Sequence, residues 1–169
     1  MKMNELLLSM LDREVERSRR ALEQVPEGKR DWKPHDKSMP FGYLCDMVAT
    51  IPSWMAMMVN TNELDIAPKD GGQQFRPPES KTSAEFITAL DKAAEEGRAA
   101  LRGTTDEHLK THWRLLAGGK VAVDAPRDEF IQDTIGHWAH HRGQMTVYLR
   151  LMGAKVPALY GPSADDQRF

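Results

Sequence analysis

The spacing that most constrains this chain lies between Arg127 and Met152. There Phe130, Thr134, His137, His141, Met145, Tyr148 and Met152 recur at steps of four, three, four, four, three and four. Those steps place all seven on one face of an α-helix. A helix that long with one apolar stripe needs other helices to cover it, because packing supplies most of a helix's stability.

Three further segments have the same period. From about Asn4 to Gln24, Leu7, Leu11, Val15, Ser18 and Leu22 form a stripe that Pro26 and Gly28 end. From about Phe41 to Asn60, Leu44, Met47, Val48, Ile51, Met55 and Met58 form a broad apolar face. Ser38 is the candidate cap of that helix, with Pro40 in its first turn. Pro52, inside it, should kink it or remove one backbone hydrogen bond. Thr82 or Ser83 opens a helix to about Leu101, with Phe86, Leu90, Ala93 and Ala94 on its face. The segment 61–81 is rich in turn formers and reads as a long connection. Gly118-Gly119 between HWRLL and KVAV signals a hairpin. The sum is an all-α, four-helix bundle over residues 1–169 as a single domain, with a small hairpin inserted before the last helix.

A net charge of −2 gives no electrostatic case for a nucleic-acid partner. On the first helix Arg13, Arg17, Arg19 and Arg20 alternate with Glu5, Glu14, Glu16 and Glu23, which reads as a solvated mixed face. No apolar run reaches the roughly 20 residues of a membrane span. The N-terminus turns charged too soon for a signal peptide. Cys45 is the single cysteine, which excludes an intrachain disulfide and fits a reducing interior. The expected location is cytoplasmic. Several of the ten methionines fall on core positions, where they fill gaps between helices.

The stretch GHWAHHRGQM, residues 136–145, carries the chemistry. His137 and His141 lie one turn apart on the stripe and should point inward together, while His140 leaves it by about 100°. Two imidazoles one turn apart are half of a metal site. They are equally a buried polar pair bonded to backbone, Tyr148 or Gln144. A metal needs a third ligand from another element. Met47 faces the same interior, and its thioether suits soft ions such as Cu(I). Asp46 and Cys45 sit on the flanks, and His35 and Asp36 precede the second helix. His108 and His112 share the four-residue spacing but read as solvated. Tyr160, Ser163 and Asp165, in the tail, either border the pocket or hold the tail down.

The segment HWAHHRGQMTVYLRLMGAKVPALYGPSADD resembles the C-terminal signature of the DinB/YfiT-like family, His-x-x-x-His-Arg-Gly-Gln through Pro-x-x-Tyr-Gly-Pro-Ser. DWKPHDKS resembles the family's Trp-x-Pro stretch after the first helix. The resemblance implies a DinB-like four-helix bundle, often a homodimer. It implies a divalent metal, zinc or nickel, on three histidines, two of which correspond to His137 and His141. The third belongs to a Leu-x-x-His-Val-Ala-x-x-Pro-x-Trp motif in helix two. This chain reads LCDMVATIPSW, and Val48, Ala49, Pro52 and Trp54 place Met47 at the histidine's position.

The expected metal set is therefore His137, His141 and Met47, with the site weakened by Met47. The corresponding function is a metal-dependent enzyme of the thiol-transferase or hydrolase kind, acting on a small-molecule or thiol substrate. The alternative is a non-catalytic, metal-free bundle that binds a small ligand or serves as an interaction module.

Overall fold

A computed structural model describes residues 2–69 and 78–168. The middle of the long connection, 70–77, lies outside the described residues. Helix α1 spans Met3–Leu22, α2 Phe41–Thr50, α3 Pro52–Asn60, α4 Ser83–Gly103, the short α5 Asp106–Leu109 and α6 Arg127–Leu151. Helices α1, α2–α3, α4 and α6 pack around one core as the four arms of a bundle. The apolar stripes expected on the first three arms are buried, Leu7, Leu44 and Leu90 among them. Thr82 caps α4, its hydroxyl accepting from the Glu85 backbone N–H at 3.2 Å. Ser38 does not cap α2; Pro40 holds that position, without a side-chain bond.

The second arm breaks at Ile51, and Pro52 opens α3 as its first residue. A proline has no N–H, so the carbonyl four residues earlier, that of Val48, loses its helical donor. The indole Nε1–H of Trp138, on α6, donates to that carbonyl at 2.7 Å. A fully buried tryptophan thus satisfies the acceptor that proline orphans. Helix α4 crosses at the same place. A Cβ on Gly97 would lie 2.8 Å from the Pro52 carbonyl oxygen, so only glycine permits this approach.

On α6 the buried stripe is rotated from the one expected. Ile131, Ile135, Trp138, Arg142, Met145 and Leu149 face the core, while Phe130 and Tyr148 are half-buried. Apolar residues occur on two adjacent faces of α6, and helical spacing alone does not decide which faces the bundle.

The hairpin is present as β2 (His112–Ala117) and β3 (Lys120–Pro126), antiparallel. Its turn places Gly118 and Gly119 at φ +62° and +77°, as a tight hairpin turn demands. A third strand, β1 (Glu63–Asp65), pairs parallel to β2 and makes a sheet of order β1-β2-β3. This strand lies in the segment expected to be a connection. The Asp65 carboxylate fastens it to the turn, accepting from the N–H groups of Gly118 (3.0 Å) and Gly119 (2.6 Å). Buried Arg127 anchors the sheet to the bundle, donating to the carbonyls of Met58 (2.9 Å), Thr61 (2.8 Å) and His112 (2.6 Å).

Candidate functional site

Between α2–α3, α6 and the sheet lies a cleft of about 830 Å³. The bundle lines it with Met47, Met57, Met58, Trp54 and Thr134, and the sheet adds Leu64 and Leu115. Trp113, 1% exposed, also lines it, edge-on to Phe130 with ring centroids 4.9 Å apart. A shallower groove of about 1000 Å³ runs between α3 and α4 past Asn60 and His108, away from the histidines of α6.

The paired histidines divide between the cleft and the interior. His141 is buried at 8% exposure, as expected. His137 is exposed and lines the cleft, so the expectation that it points inward fails. The reason is the rotation of α6: its buried face centres on Trp138 and Arg142, and His137 falls beside it. The two imidazoles remain neighbours, with ring centroids 4.4 Å apart, and Trp54 stands 5.7 Å from His137. His140 is peripheral, as expected. Partial desolvation of its ring beside the cleft wall lowers the pKa of His137, and the nearby imidazoles of His141 and His140 lower it further. His137 is therefore neutral at pH 7. His141 Nδ1 lies 3.0 Å from Gln144 Oε1, an acceptor, so Nδ1 donates in this contact.

Met47 is buried and reaches the same cleft from α2. The other candidates for a third ligand are committed elsewhere. Asp46 is fully buried but takes an ion pair from Arg30 at 2.7 Å and the Ser80 N–H at 3.2 Å. Cys45 is buried, and burial, then the Asp46 charge, push its thiol pKa well up, so it is inert. His35 and Asp36 are exposed in their loop, with His35 Nδ1 accepting from the Lys37 N–H. His108 is half-buried and bonded to the Val59 carbonyl at 2.8 Å, so it is not the solvated residue expected, whereas His112 is exposed and pairs with Asp124. Among the described residues, no three His, Cys, Asp or Glu side chains converge as a metal site. Two imidazoles and a thioether are a poor match to the donor set zinc or nickel takes.

One residue of the signature has a role that spacing did not indicate. Arg142, adjacent to His141, is fully buried and pairs with Glu14 of α1. It also donates to Ser18 Oγ at 3.0 Å and to the hydroxyl of Tyr160. Tyr160 in turn donates to Glu14 at 2.8 Å. Glu14 is thus buried and paired, which corrects the reading of α1 as a wholly solvated mixed face. Arg17 and Arg20 donate to the carbonyls of Leu159 and Ala158, both at 3.2 Å. Asp165 pairs with Arg150 at 2.6 Å, and Ser163 donates to the Val156 carbonyl. Tyr160, Ser163 and Asp165 therefore hold the tail down; none lines the cleft. The available signal was Arg142 itself, four residues after Trp138 and three before Met145 on a buried helix face.

The comparisons with known proteins agree with this architecture. A crystal structure of a DinB-like protein from Bacillus cereus ATCC 10987 superposes with a TM-score of 0.68 at 21% identity, covering 92% of this chain and 97% of that one. A DinB-like protein of Bacillus subtilis, YjoA, gives 0.67 at 20% identity over 96% and 99% of the two chains. The uncharacterized protein YrdA of Bacillus subtilis strain 168 is 29% identical over 112 residues, 66% of this chain. The chain spans 63% of that relative's length. The family model described as DinB family matches residues 1–168, and the chain belongs to the DinB family.

Proposed function

We propose that this protein binds a small organic molecule with an apolar body in the cleft between α6, α2–α3 and the sheet. The observation that carries the reading is the lining: methionine and aromatic side chains around about 830 Å³, with Met47 where the resemblance implies a histidine. That volume falls in the range of small-molecule sites, and a thioether makes the cleft drier than an imidazole would. Titration with the neutral dye N-phenyl-1-naphthylamine tests it. One site per chain is expected, with affinity falling at least about tenfold in Met47→Trp, which fills the cleft. Equal fluorescence enhancement in both proteins would refute the reading.

A metal-assisted transferase or hydrolase is the second reading, with zinc or nickel on His137 and His141 and Met47 as third donor. The hydrogen bond from His141 to Gln144 favours it, because a ligand imidazole is commonly oriented through its other nitrogen. Dialysis against either metal followed by elemental analysis decides it. About one equivalent, lost in His137→Ala, would support a resident metal, and under about a tenth would sink it. The homodimer implied by the family resemblance belongs to the same proposal, and light scattering coupled to gel filtration reads it directly.

A further inference from the structure

The cleft has a sign as well as a shape. Among the described residues no lysine or arginine lines it, and its two charged residues are Asp65 and Asp133. The Asp65 carboxylate is already taken by the backbone N–H groups of Ala67, Gly118 and Gly119. Asp133 differs: it is exposed and makes no hydrogen bond or ion pair among the described residues. Asp128, at the start of the same helix, is by contrast buried and paired with Lys110 at 2.7 Å. Asp133 sits between Phe130 and His137, one turn from each on α6. Both of those line the cleft with it, so the free carboxylate belongs to the cleft and not to an outer face.

The rings repeat the same preference. Tyr43, Trp54, Trp113 and Phe130 line the cleft from three elements and the sheet. Aromatic faces carry negative quadrupole potential and attract cations within about 6 Å. An anion would meet the opposite: a carboxylate, aromatic rings and, among the described residues, no lysine or arginine.

Resting on the small-ligand reading above, we propose that the occupant is an organic cation, a protonated amine or quaternary ammonium group carried on an apolar body. The body packs on Met47, Met58 and Trp113, and the charged head lies by Asp133. Charge complementarity selects this occupant over a neutral or acidic molecule of equal size.

Three probes with one apolar body and different charges test the proposal on the full chain at pH 7.5: 4-phenylbutylamine, 4-phenylbutan-1-ol and 4-phenylbutyrate, by calorimetry. The amine is expected to bind about tenfold tighter than the alcohol, with the carboxylate weakest. Asp133→Asn, at an exposed position, should bring amine and alcohol within about threefold while leaving the alcohol unchanged. Equal binding of amine and alcohol to the unaltered protein would overturn the cation assignment and leave the small-ligand reading standing. So would a gap that survives Asp133→Asn, or tightest binding by the carboxylate. No binding by any of the three would overturn both.

Discussion

His141 and Arg142 are consecutive residues of α6 with opposite fates. Arg142 turns toward α1 and the tail, where Glu14 pairs with it, Ser18 accepts from it and the Tyr160 hydroxyl bridges the two, while its Nε has no partner among the described residues. His141 turns toward His137, whose imidazole stands at the cleft with Asp133 one turn away. One side of the helix is a polar network that ties α6 to α1 and the tail; the other sets Asp133, without a hydrogen-bond partner among the described residues, beside an apolar hollow. A buried ion-pair network holds a fold in place, while a cleft edged by a free carboxylate is suited to take a ligand. The same short motif therefore serves structure and recognition by facing two ways.

The sharpest way to break this contrast is Arg142→Met. It takes from buried Glu14 one of its two arginine partners, Arg17 being the other, and should cost about 3 kcal/mol in urea unfolding, the low end for breaking a buried ion pair. Trp138→Phe should cost about 1–3 kcal/mol, because the Val48 carbonyl then loses its donor. Adding Pro52→Ala to that variant restores a backbone N–H and should recover part of the loss; no recovery would refute the account of the break in the second arm. Tyr160→Phe should cost about 1 kcal/mol and loosen the tail, seen as faster cleavage by a carboxypeptidase.

Acid titration probes the network more gently. Burial by itself raises the Glu14 pKa, but the charge and hydrogen bond of Arg142, the Tyr160 hydroxyl and the charge of Arg17 together lower it below its ordinary 4.5. The folded value is thus below the unfolded one. Its contribution is full above pH 4.5 and is lost as pH falls through the folded value. In Arg142→Met that acid-linked loss of stability should shrink. The smallest effect belongs to the cleft side: His137→Ala should change stability at pH 7 by no more than about 0.5 kcal/mol. His137 also has a folded pKa below its ordinary 6.5, so folding loses stability as pH falls from 6.5 through that value, and His137→Ala should lack this loss.

Much of the bundle was legible because helical spacing and chain breakers are local. The stripes on α1, α2 and α4, the proline break and the Gly118-Gly119 turn all appear where side-chain period and backbone sterics require them. Strand β1 was not legible: Glu63–Asp65 is too short to show an alternating pattern, and its pairing to β2 depends on distant residues. The site was half legible. The closeness of His137 and His141 follows from a four-residue step, but which of the two is buried depends on the rotation of α6 against its neighbours. Asp133 and Trp113 could not be assigned to one cleft with them, since no local period links a sheet residue to a helix face.

By itself, the sequence determined that this chain forms a helical bundle and that two imidazoles stand one turn apart beside a methionine-bearing helix. Periodicity, proline chemistry and glycine conformation act within a few residues, so they can be read along the chain. Only the tertiary structure decided that Trp138 answers the carbonyl freed by Pro52, that Arg142 is a buried tie and not a surface charge, and that the hairpin helps enclose a cleft. Those outcomes rest on contacts between residues far apart in sequence, and helix rotation and sheet docking fix them through burial and hydrogen-bond satisfaction.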